Sequence, residues 1–190
     1  MSDLLYVGPA TTKKLARYGV HTIGNSTTAP RDLSSDDDVK ITLYSLCESV
    51  AARLRAQATR CATVKLGIRD TGLLWYERQT KLSYPTCSST DIFQAAYQLF
   101  KGNPPPHPIR SLSVRASSLS PFGEGSQLSL FPEEQRSLRH ADLETTLDKI
   151  REKYGYLSIQ RGIMHLDPKL NIDAQHDNTI HPIGFLGTLS

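Results

Sequence analysis

The pattern that most constrains this fold is a strand-like segment followed at once by a turn and a second strand-like segment. Residues 63–69 alternate between apolar and other side chains, and the apolar members are Val64, Leu66 and Ile68. Such alternation is typical of a strand with one buried face. A turn at residues 70–72 leads into residues 73–84, which are rich in aromatic and β-compatible side chains. Because the connection is so short, we expect an antiparallel hairpin.

Two amphipathic helices flank the hairpin in the sequence. We expect the first to be capped by Ser34 or Ser35, because serine is a favoured N-cap residue. The apolar positions after this cap follow the 3.6-residue period of a helix. These positions are Val39, Leu43, Leu46, Cys47, Val50, Ala51 and Leu54. We expect the second to be capped by Ser89 or Thr90 and to end at Gly102, ahead of three prolines. Its apolar positions are Ile92, Ala95, Ala96, Leu99 and Phe100.

Three consecutive aspartates, Asp36 to Asp38, open the first helix. Consecutive helical side chains point in different directions, so the three carboxylates cannot converge on one metal ion. Carboxylates in the first turn are stabilised by the helix dipole. We therefore interpret them as structural residues of the helix start.

A third strand is predicted at residues 109–116, and it repeats the arrangement of the first. If the apolar faces of these strands pack under the helices, the other face presents basic side chains. These are Lys65, Arg69 and Arg115, with Arg78 or Lys81 added according to the register. Such a surface suits a phosphate backbone. It also fits an ordinary solvated sheet face, on which Lys and Arg protect edge strands from pairing, and both interpretations stay open.

The first 23 residues contain a second candidate for nucleic-acid binding. Residues 7–21 read as a tight turn that leads into a short basic helix containing Lys13 and Lys14. Gly8 would let the backbone approach a phosphate, which the free amides at the helix start can bind. The alternative is an ordinary helical hairpin with a solvated basic face.

A Gly- and Pro-rich link follows the third predicted strand. It carries the pentapeptide Gln127-Leu128-Ser129-Leu130-Phe131, closed by Pro132. Large apolar residues in such a setting are typical of a peptide held out for a partner's pocket. A further helix is predicted at residues 133–154, with a sparse apolar stripe of Leu138, Leu147 and Ile150, and residues 168–190 are expected to be mostly irregular.

Composition limits the remaining possibilities. The net charge is +3, and the basic excess lies mid-chain: residues 58–84 hold five basic and two acidic side chains. The three cysteines form no CxxC pair and the six histidines show no ligand spacing, so we expect neither a disulfide framework nor a metal or other cofactor. No apolar run approaches the length of a membrane span and no secretion signal is recognised, so we expect a cytoplasmic protein without a membrane partner.

Short stretches along most of the chain occur in a distinctive order. They are residues 8–16, 19–24, 24–33, 48–55, 77–82, 113–116, 158–162 and 181–184. In this order they resemble the C-terminal part of Y-family lesion-bypass DNA polymerases, in particular the DNA polymerase IV and UmuC-like group of Firmicutes. Residues 8–24 are similar to the thumb helix-hairpin-helix of that family. Residues 24–116 look like its little-finger domain.

The resemblance implies binding to duplex or primer-template DNA through mainly phosphate contacts, in DNA repair, translesion synthesis and the SOS response. With the charge pattern, it selects as DNA-binding residues Gly8, Lys13, Lys14, Thr27, Thr28, Lys65, Arg69, Arg78, Lys81 and Arg115. It further implies that residues 127–131 dock on the sliding clamp. Gln127 would then hydrogen-bond at one edge of the clamp cleft, Leu130 and Phe131 would fill its apolar pocket, and Leu128 would lie alongside.

The chain departs from the family in two respects. The palm carboxylates that hold two metal ions for nucleotidyl transfer have no counterpart here, so we expect this chain alone to be inactive as a polymerase. The thumb also looks shortened, since residues 22–24 run straight into the little-finger motif. Two alternatives remain: the complementing half of a split polymerase whose palm and fingers form a separate polypeptide, and a clamp adaptor that does not bind DNA.

The expected fold is α+β. A small N-terminal helical hairpin precedes a mostly antiparallel four-stranded sheet covered on one face by two helices, and a C-terminal helical extension follows. We divide the chain into a thumb remnant at residues 1–23, a little-finger domain at 24–119, a linker with the clamp peptide at 120–132, and a C-terminal helix and tail at 133–190.

Overall fold

The predicted hairpin forms half of a four-stranded antiparallel sheet. The computed structural model describes residues 22–122 and 132–171. The strands are β1 (Ile23–Leu33), β2 (Thr59–Asp70), β3 (Trp75–Thr86) and β4 (Ile109–Pro121), in the spatial order β1-β4-β2-β3. Two helices cover one face, so the expected α+β architecture is confirmed for this part of the chain. The predicted N-terminal hairpin lies outside the described residues.

The buried face of the sheet is the one that the alternation predicted. Val64, Leu66 and Ile68 of β2 are fully buried, as are Val114 and Ala116 of β4. These side chains pack with the apolar faces of the two helices in one hydrophobic core. Because side chains alternate along a strand, the residues between them point away from the helices.

The first helix, α1 (Asp36–Ala56), begins with a reciprocal capping arrangement. The Ser35 hydroxyl accepts a hydrogen bond from the Asp38 amide, and the Asp38 carboxylate accepts one from the Ser35 amide, both at 3.1 Å. Arg31 of β1 donates to both Asp38 oxygens at 2.9 and 2.7 Å. The structural interpretation of this aspartate is therefore confirmed.

The second helix, α2 (Ser89–Lys101), ends at Gly102 as predicted. Its cap is Ser88, whose hydroxyl accepts from the Thr90 amide at 3.2 Å. The prediction of Ser89 or Thr90 as the cap was therefore wrong by one or two residues. Ser89 is instead the first helical residue, and its amide donates to a carboxylate on another helix.

That third helix, α3 (Pro132–Tyr154), packs against α1 and α2 through polar side chains. Ser137 and Glu144 are buried, whereas Leu138, which we expected in an inward apolar stripe, is 37% exposed. The expectation for Leu138 was wrong because the docked face is polar. Two short 3-10 turns, Tyr156–Ser158 and Gly162–His165, follow α3 in the chain.

A cluster of buried ion pairs joins α3 to the rest of the fold. Arg55 of α1 donates to Glu144 at 2.6 Å and to the two oxygens of Asp148 at 2.6 and 2.9 Å. Glu144 also accepts from the Ser89 amide at 2.8 Å and from the Ser89 hydroxyl at 2.7 Å. The carboxylate of Glu144 thus satisfies both an arginine and the N-terminus of α2.

A second cluster surrounds Glu48 of α1. Its carboxylate is bound by Arg151 at 2.8 Å and by Arg161 at 2.6 Å, and the Tyr156 hydroxyl donates to it at 3.2 Å. The segment after α3 is therefore anchored on the helices, and the face of the sheet opposite the helices is left uncovered by the described residues.

Candidate nucleic-acid interface

The outer face of the sheet, defined as the face turned away from α1 and α2, consists of three rows that cross the strands. The register from β1 to β3 gives these rows as Gly24-Arg115-Lys65-Gln79, Ser26-Ser113-Gly67-Glu77 and Thr28-Ser111-Arg69-Trp75. Lys81 stands opposite Thr63 and continues the same face. Charged side chains therefore flank a central row of mostly small residues.

Lys65 and Arg115 are direct partners across β2 and β4, so two cations stand side by side near the centre of the sheet. Like charges placed opposite each other disfavour pairing. Here Glu77 of β3 offsets the repulsion, because its carboxylate forms an ion pair with the Lys65 ammonium group at 2.6 Å. That hydrogen bond from Lys65 lowers the pKa of Glu77, and the charge of Arg115 acts in the same direction.

The third row ends in an arginine beside a tryptophan. Arg69 and Trp75 are register partners, and the guanidinium carbon lies 5.7 Å from the centroid of the indole ring. The Nε atom of Arg69 is buried and has no hydrogen-bond partner among the described residues. Trp75 is 59% exposed. This corner of the outer face therefore offers both a cation and an accessible aromatic surface.

The central row is shallow because its side chains are small. A Cβ atom on Gly67 would collide with the Ser113 hydroxyl, so a larger residue here would require that hydroxyl to turn away. On Gly24, a Cβ atom would lie 3.3 Å from the side chain of Arg115. The outer face can therefore admit an extended backbone close to the sheet between the flanking cations.

Two of the predicted DNA-binding residues do not lie on this face. Arg78 is the register partner of Leu66, and Thr27 is the partner of Leu112. Both partners are buried core residues, so Arg78 and Thr27 point toward the helix side of the sheet. The register therefore decides the alternative that the sequence left open and assigns Lys81, not Arg78, to the outer face.

Thr28, Lys65, Arg69, Lys81 and Arg115 are brought together on the outer face. The residues predicted for the thumb hairpin, Gly8, Lys13 and Lys14, lie outside the described residues. So do the residues predicted for the clamp peptide, which are Gln127, Leu128, Leu130 and Phe131.

Sequence reasoning missed two residues of the outer face, Glu77 and Trp75. Both lie in β3, where the alternation between exposed and half-buried side chains extends from residue 75 to residue 85. Once the pairing of Lys65 with Gln79 is known, the positions two and four residues earlier on β3 follow. The sequence contained the signal, but only the register could decide between the two faces.

The comparisons with known proteins concern most of this chain. A family model described as the impB/mucB/samB family C-terminal domain matches residues 20–130. The chain belongs to the impB/mucB/samB family. The expected likeness to the Y-family DNA polymerases IV is confirmed by relatives that carry that name.

Three of these impB/mucB/samB relatives show the extent of the match. The DNA polymerase IV of Acetivibrio thermocellus is 39% identical over 153 residues, which cover 80% of this chain and 38% of the relative. That of Pelotomaculum thermopropionicum is 34% identical, with coverage of 76% and 35%. The DNA polymerase IV 2 of Bacillus subtilis is 32% identical, with coverage of 81% and 37%. The chain thus spans less than two fifths of the length of these relatives.

Two solved structures also match this impB/mucB/samB domain. One is a complex of the β-clamp processivity factor with the little finger domain of PolIV, with 15% identity, a TM-score of 0.45, and coverage of 58% of this chain and 98% of that chain. The other is a post-insertion binary complex of Dbh DNA polymerase, with 12% identity, a TM-score of 0.44, and coverage of 53% and 29%.

Residues 22–122 and 132–171 hold neither a candidate metal site nor a membrane-spanning helix. Within them, no group of three or more His, Cys, Asp and Glu side chains is placed to hold a metal ion. The same residues contain no helix that is both long and apolar enough to cross a membrane.

Proposed function

We propose that this chain is the DNA-binding and sliding-clamp-binding portion of a Y-family translesion DNA polymerase. The observation that carries the proposal is the adjacent pair Lys65 and Arg115 on the outer face, in a domain whose family is that of the DNA polymerases IV. The outer face would lie along duplex DNA. The proposed contacts are Thr28, Lys65, Arg69, Lys81 and Arg115.

The chemistry of the outer face favours phosphate over base recognition. Lysine and arginine bind phosphate oxygens through charge-assisted hydrogen bonds, and such contacts hold a protein on DNA without reading its sequence. The two rows that contain Lys65 and Arg69 are four residues apart on one strand, or about 13 Å. The small residues between them leave room for the sugar-phosphate backbone. Binding should therefore tolerate any sequence and weaken steeply with salt.

Clamp binding is proposed from the pentapeptide at residues 127–131. Support comes from its pattern of a glutamine followed by three large apolar residues, and from the flanking elements, since β4 ends at Pro121 and α3 begins at Pro132. The proposal keeps Gln127 at the edge of the clamp cleft, with Leu128 alongside and Leu130 and Phe131 in its pocket. The thumb residues Gly8, Lys13 and Lys14 are proposed as a second grip on the backbone.

The DNA part is tested by fluorescence anisotropy of labelled primer-template DNA over a salt series. Lys81 and Arg78 form a matched pair of variants, because both are cations of β3, but Lys81 lies on the outer face and Arg78 points to the helix side of the sheet. Lys81→Ala should weaken binding about fivefold, the equivalent of about 1 kcal/mol for one solvent-exposed charge contact. Arg78→Ala should leave it unchanged. Equal effects of the two variants, or no binding by the wild-type chain at low salt, would refute the assignment.

The clamp part is tested separately, by surface-immobilised sliding clamp without DNA. Phe131→Ala should abolish capture of the chain, because the aromatic anchor of a docking peptide supplies much of its binding energy. Phe122→Ala is the control, since Phe122 is 40% exposed and lies before the peptide. If the immobilised clamp captures the chain and the chain does not bind DNA, the chain is a clamp adaptor and the DNA-binding proposal is wrong.

A further inference from the structure

The turn between β2 and β3 exposes three large apolar side chains in succession. Leu73, Leu74 and Trp75 are 62%, 57% and 59% exposed. We call these three residues the hairpin tip. Single exposed apolar residues are common on protein surfaces, but a contiguous group of this size marks an interaction site.

The hairpin tip is held rigidly by a buried aspartate. Asp70 is fully buried, and its carboxylate accepts hydrogen bonds from the Leu74 amide and the Tyr76 hydroxyl, both at 3.0 Å. The Asp70 backbone also bonds to Leu73 and Leu74, at 3.1 and 3.2 Å. The apolar side chains are therefore presented to solvent by a fixed turn, which lowers the entropic cost of binding a partner.

Leu73 has a backbone φ of +66°, in the left-handed region that suits glycine rather than a bulky residue. The neighbouring Gly72 could adopt this conformation at lower cost. Strain of this kind costs about 1–3 kcal/mol and is concentrated at sites of function. It turns a leucine outward at a position where folding alone would favour a glycine.

The surroundings of the hairpin tip identify the chemistry of its partner. Trp75 belongs to the outer face, in the same row as Arg69, whose guanidinium carbon lies 5.7 Å from the indole centroid. Arg69 also keeps its Nε atom without a hydrogen-bond partner among the described residues. An apolar protein partner would have to bury this cation, whereas a ligand that combines aromatic rings with phosphates matches both groups.

We propose that the hairpin tip and Arg69 bind unpaired nucleotides of single-stranded DNA. A base stacks on the exposed indole of Trp75, Leu73 and Leu74 cover the edge of the stack, and Arg69 binds the adjacent phosphate. This inference rests on the proposed function, because it extends the duplex-binding outer face to the single strand that continues from a primer-template junction. It assigns the two parts of such a substrate to two neighbouring regions of one sheet, with Arg69 at the boundary between them.

The chain offers a direct reporter, because Trp75 is its only tryptophan. Addition of a 12-nucleotide oligothymidylate to the full chain should quench the indole fluorescence, and a blunt hairpin duplex should quench it much less. Labelled oligothymidylate should bind Trp75→Leu at least about fivefold more weakly than wild type, since stacking on an aromatic side chain contributes about 1 kcal/mol or more per base. Trp75→Phe should recover part of the affinity, because it restores a ring.

The control is Tyr154→Leu, an equivalent loss of an aromatic ring at a residue that is 66% exposed at the end of α3. It should bind oligothymidylate as wild type does. If Trp75→Leu binds oligothymidylate normally while the duplex is bound with its salt dependence intact, this inference is wrong and the proposed function stands. If neither DNA is bound, the proposed function fails as well. If the indole responds to purified sliding clamp and not to DNA, the hairpin tip is a protein-docking surface and the inference is overturned.

Discussion

Arg55 of α1 grips Asp148 of α3 through two parallel hydrogen bonds, at 2.6 and 2.9 Å, while its remaining nitrogen reaches Glu144 at 2.6 Å. One guanidinium group thus holds two carboxylates of a helix that offers few apolar contacts. The side chains of Arg55 and Glu144 are each only 8% exposed. The docking of α3 therefore depends on the complete satisfaction of buried charges.

Removal of this guanidinium group should destabilise the protein strongly. Arg55→Ala removes the ion-pair partner that lies 2.6 Å from buried Glu144 and leaves only Arg161, at 3.9 Å, so we expect the free energy of unfolding to fall by about 3–5 kcal/mol. Urea unfolding monitored by circular dichroism measures the change. Arg139→Ala, which removes an exposed arginine of α3, should change stability by less than about 0.5 kcal/mol. Similar values for the two variants would show that the ion pairs do not hold α3.

Neutralisation of Glu77 should strengthen DNA binding. Glu77 occupies Lys65 at 2.6 Å and places a negative charge on the outer face. We expect Glu77→Gln to bind primer-template DNA about five times more tightly at low salt, because it frees one cation and removes repulsion worth about 1 kcal/mol. The same change at Glu152, an exposed residue of α3, is the control. Unchanged or weaker binding by Glu77→Gln would contradict the role of the outer face.

Arg115 should account for one phosphate contact. Four outer-face cations predict that the logarithm of the binding constant falls with the logarithm of the salt concentration with a slope of about −3 to −4. Arg115→Ala should reduce the steepness of this slope by about 0.9. Arg139→Ala again serves as the control and should leave the slope unchanged. A weaker affinity with an unaltered slope would mean that Arg115 acts through folding and not through phosphate.

The start of α1 should make the fold sensitive to acid. The Arg31 guanidinium holds the pKa of Asp38 well below its usual range, and a hydrogen bond from Lys40 lowers the pKa of Asp36 to about 2. Since these folded-state values lie below the ordinary 3.8, their contribution is complete above that pH and is lost as the pH falls through the folded values. The Tm should therefore decline from pH 4 downward, about where aspartates of unfolded chains begin to take up protons.

Asp38→Asn separates this contribution from the rest of the acid response. The variant should have a lower Tm at neutral pH, and its Tm should depend less on pH between about 4 and 2. Asp37→Asn, at an exposed position of the same turn, should change the profile less. Parallel profiles for wild type and Asp38→Asn would exclude Asp38 as a source of acid sensitivity. Differential scanning calorimetry provides the measurement.

The alternation of Val64, Leu66 and Ile68 was enough to predict the strand, its buried face and the hairpin. It could not decide whether Arg78 or Lys81 joins the outer face, because alternation along β3 shows only that these two residues lie on opposite faces, and not which of them stands on the side of Lys65. Only the pairing itself fixes which side chains of β3 stand beside Lys65. A one-residue change of register exchanges the two faces of a strand.

Two further features, strand β1 and the docked face of α3, could not be predicted from the periodicity of apolar residues. β1 (Ile23–Leu33) is an edge strand of mostly polar residues, so its existence followed from the family resemblance and not from periodicity. The docked face of α3 is marked by Ser137 and Glu144, residue types that ordinarily face solvent. Their burial depends on partners from segments that are distant in the sequence, such as Arg55, and the local sequence pattern does not predict those partners.

The seating of α3 on buried charges also sets how the protein responds to dissolved ions. At physiological ionic strength the Debye length is about 8 Å, and exposed charges lose their mutual attraction as it shrinks, whereas enclosed pairs are screened much less. Concentrated electrolyte would thus detach the outer face from a polyanion and leave Arg55 and Glu144 in contact. Release of the nucleic acid and loss of the native architecture are separate events, which lie far apart on the scale of ionic strength.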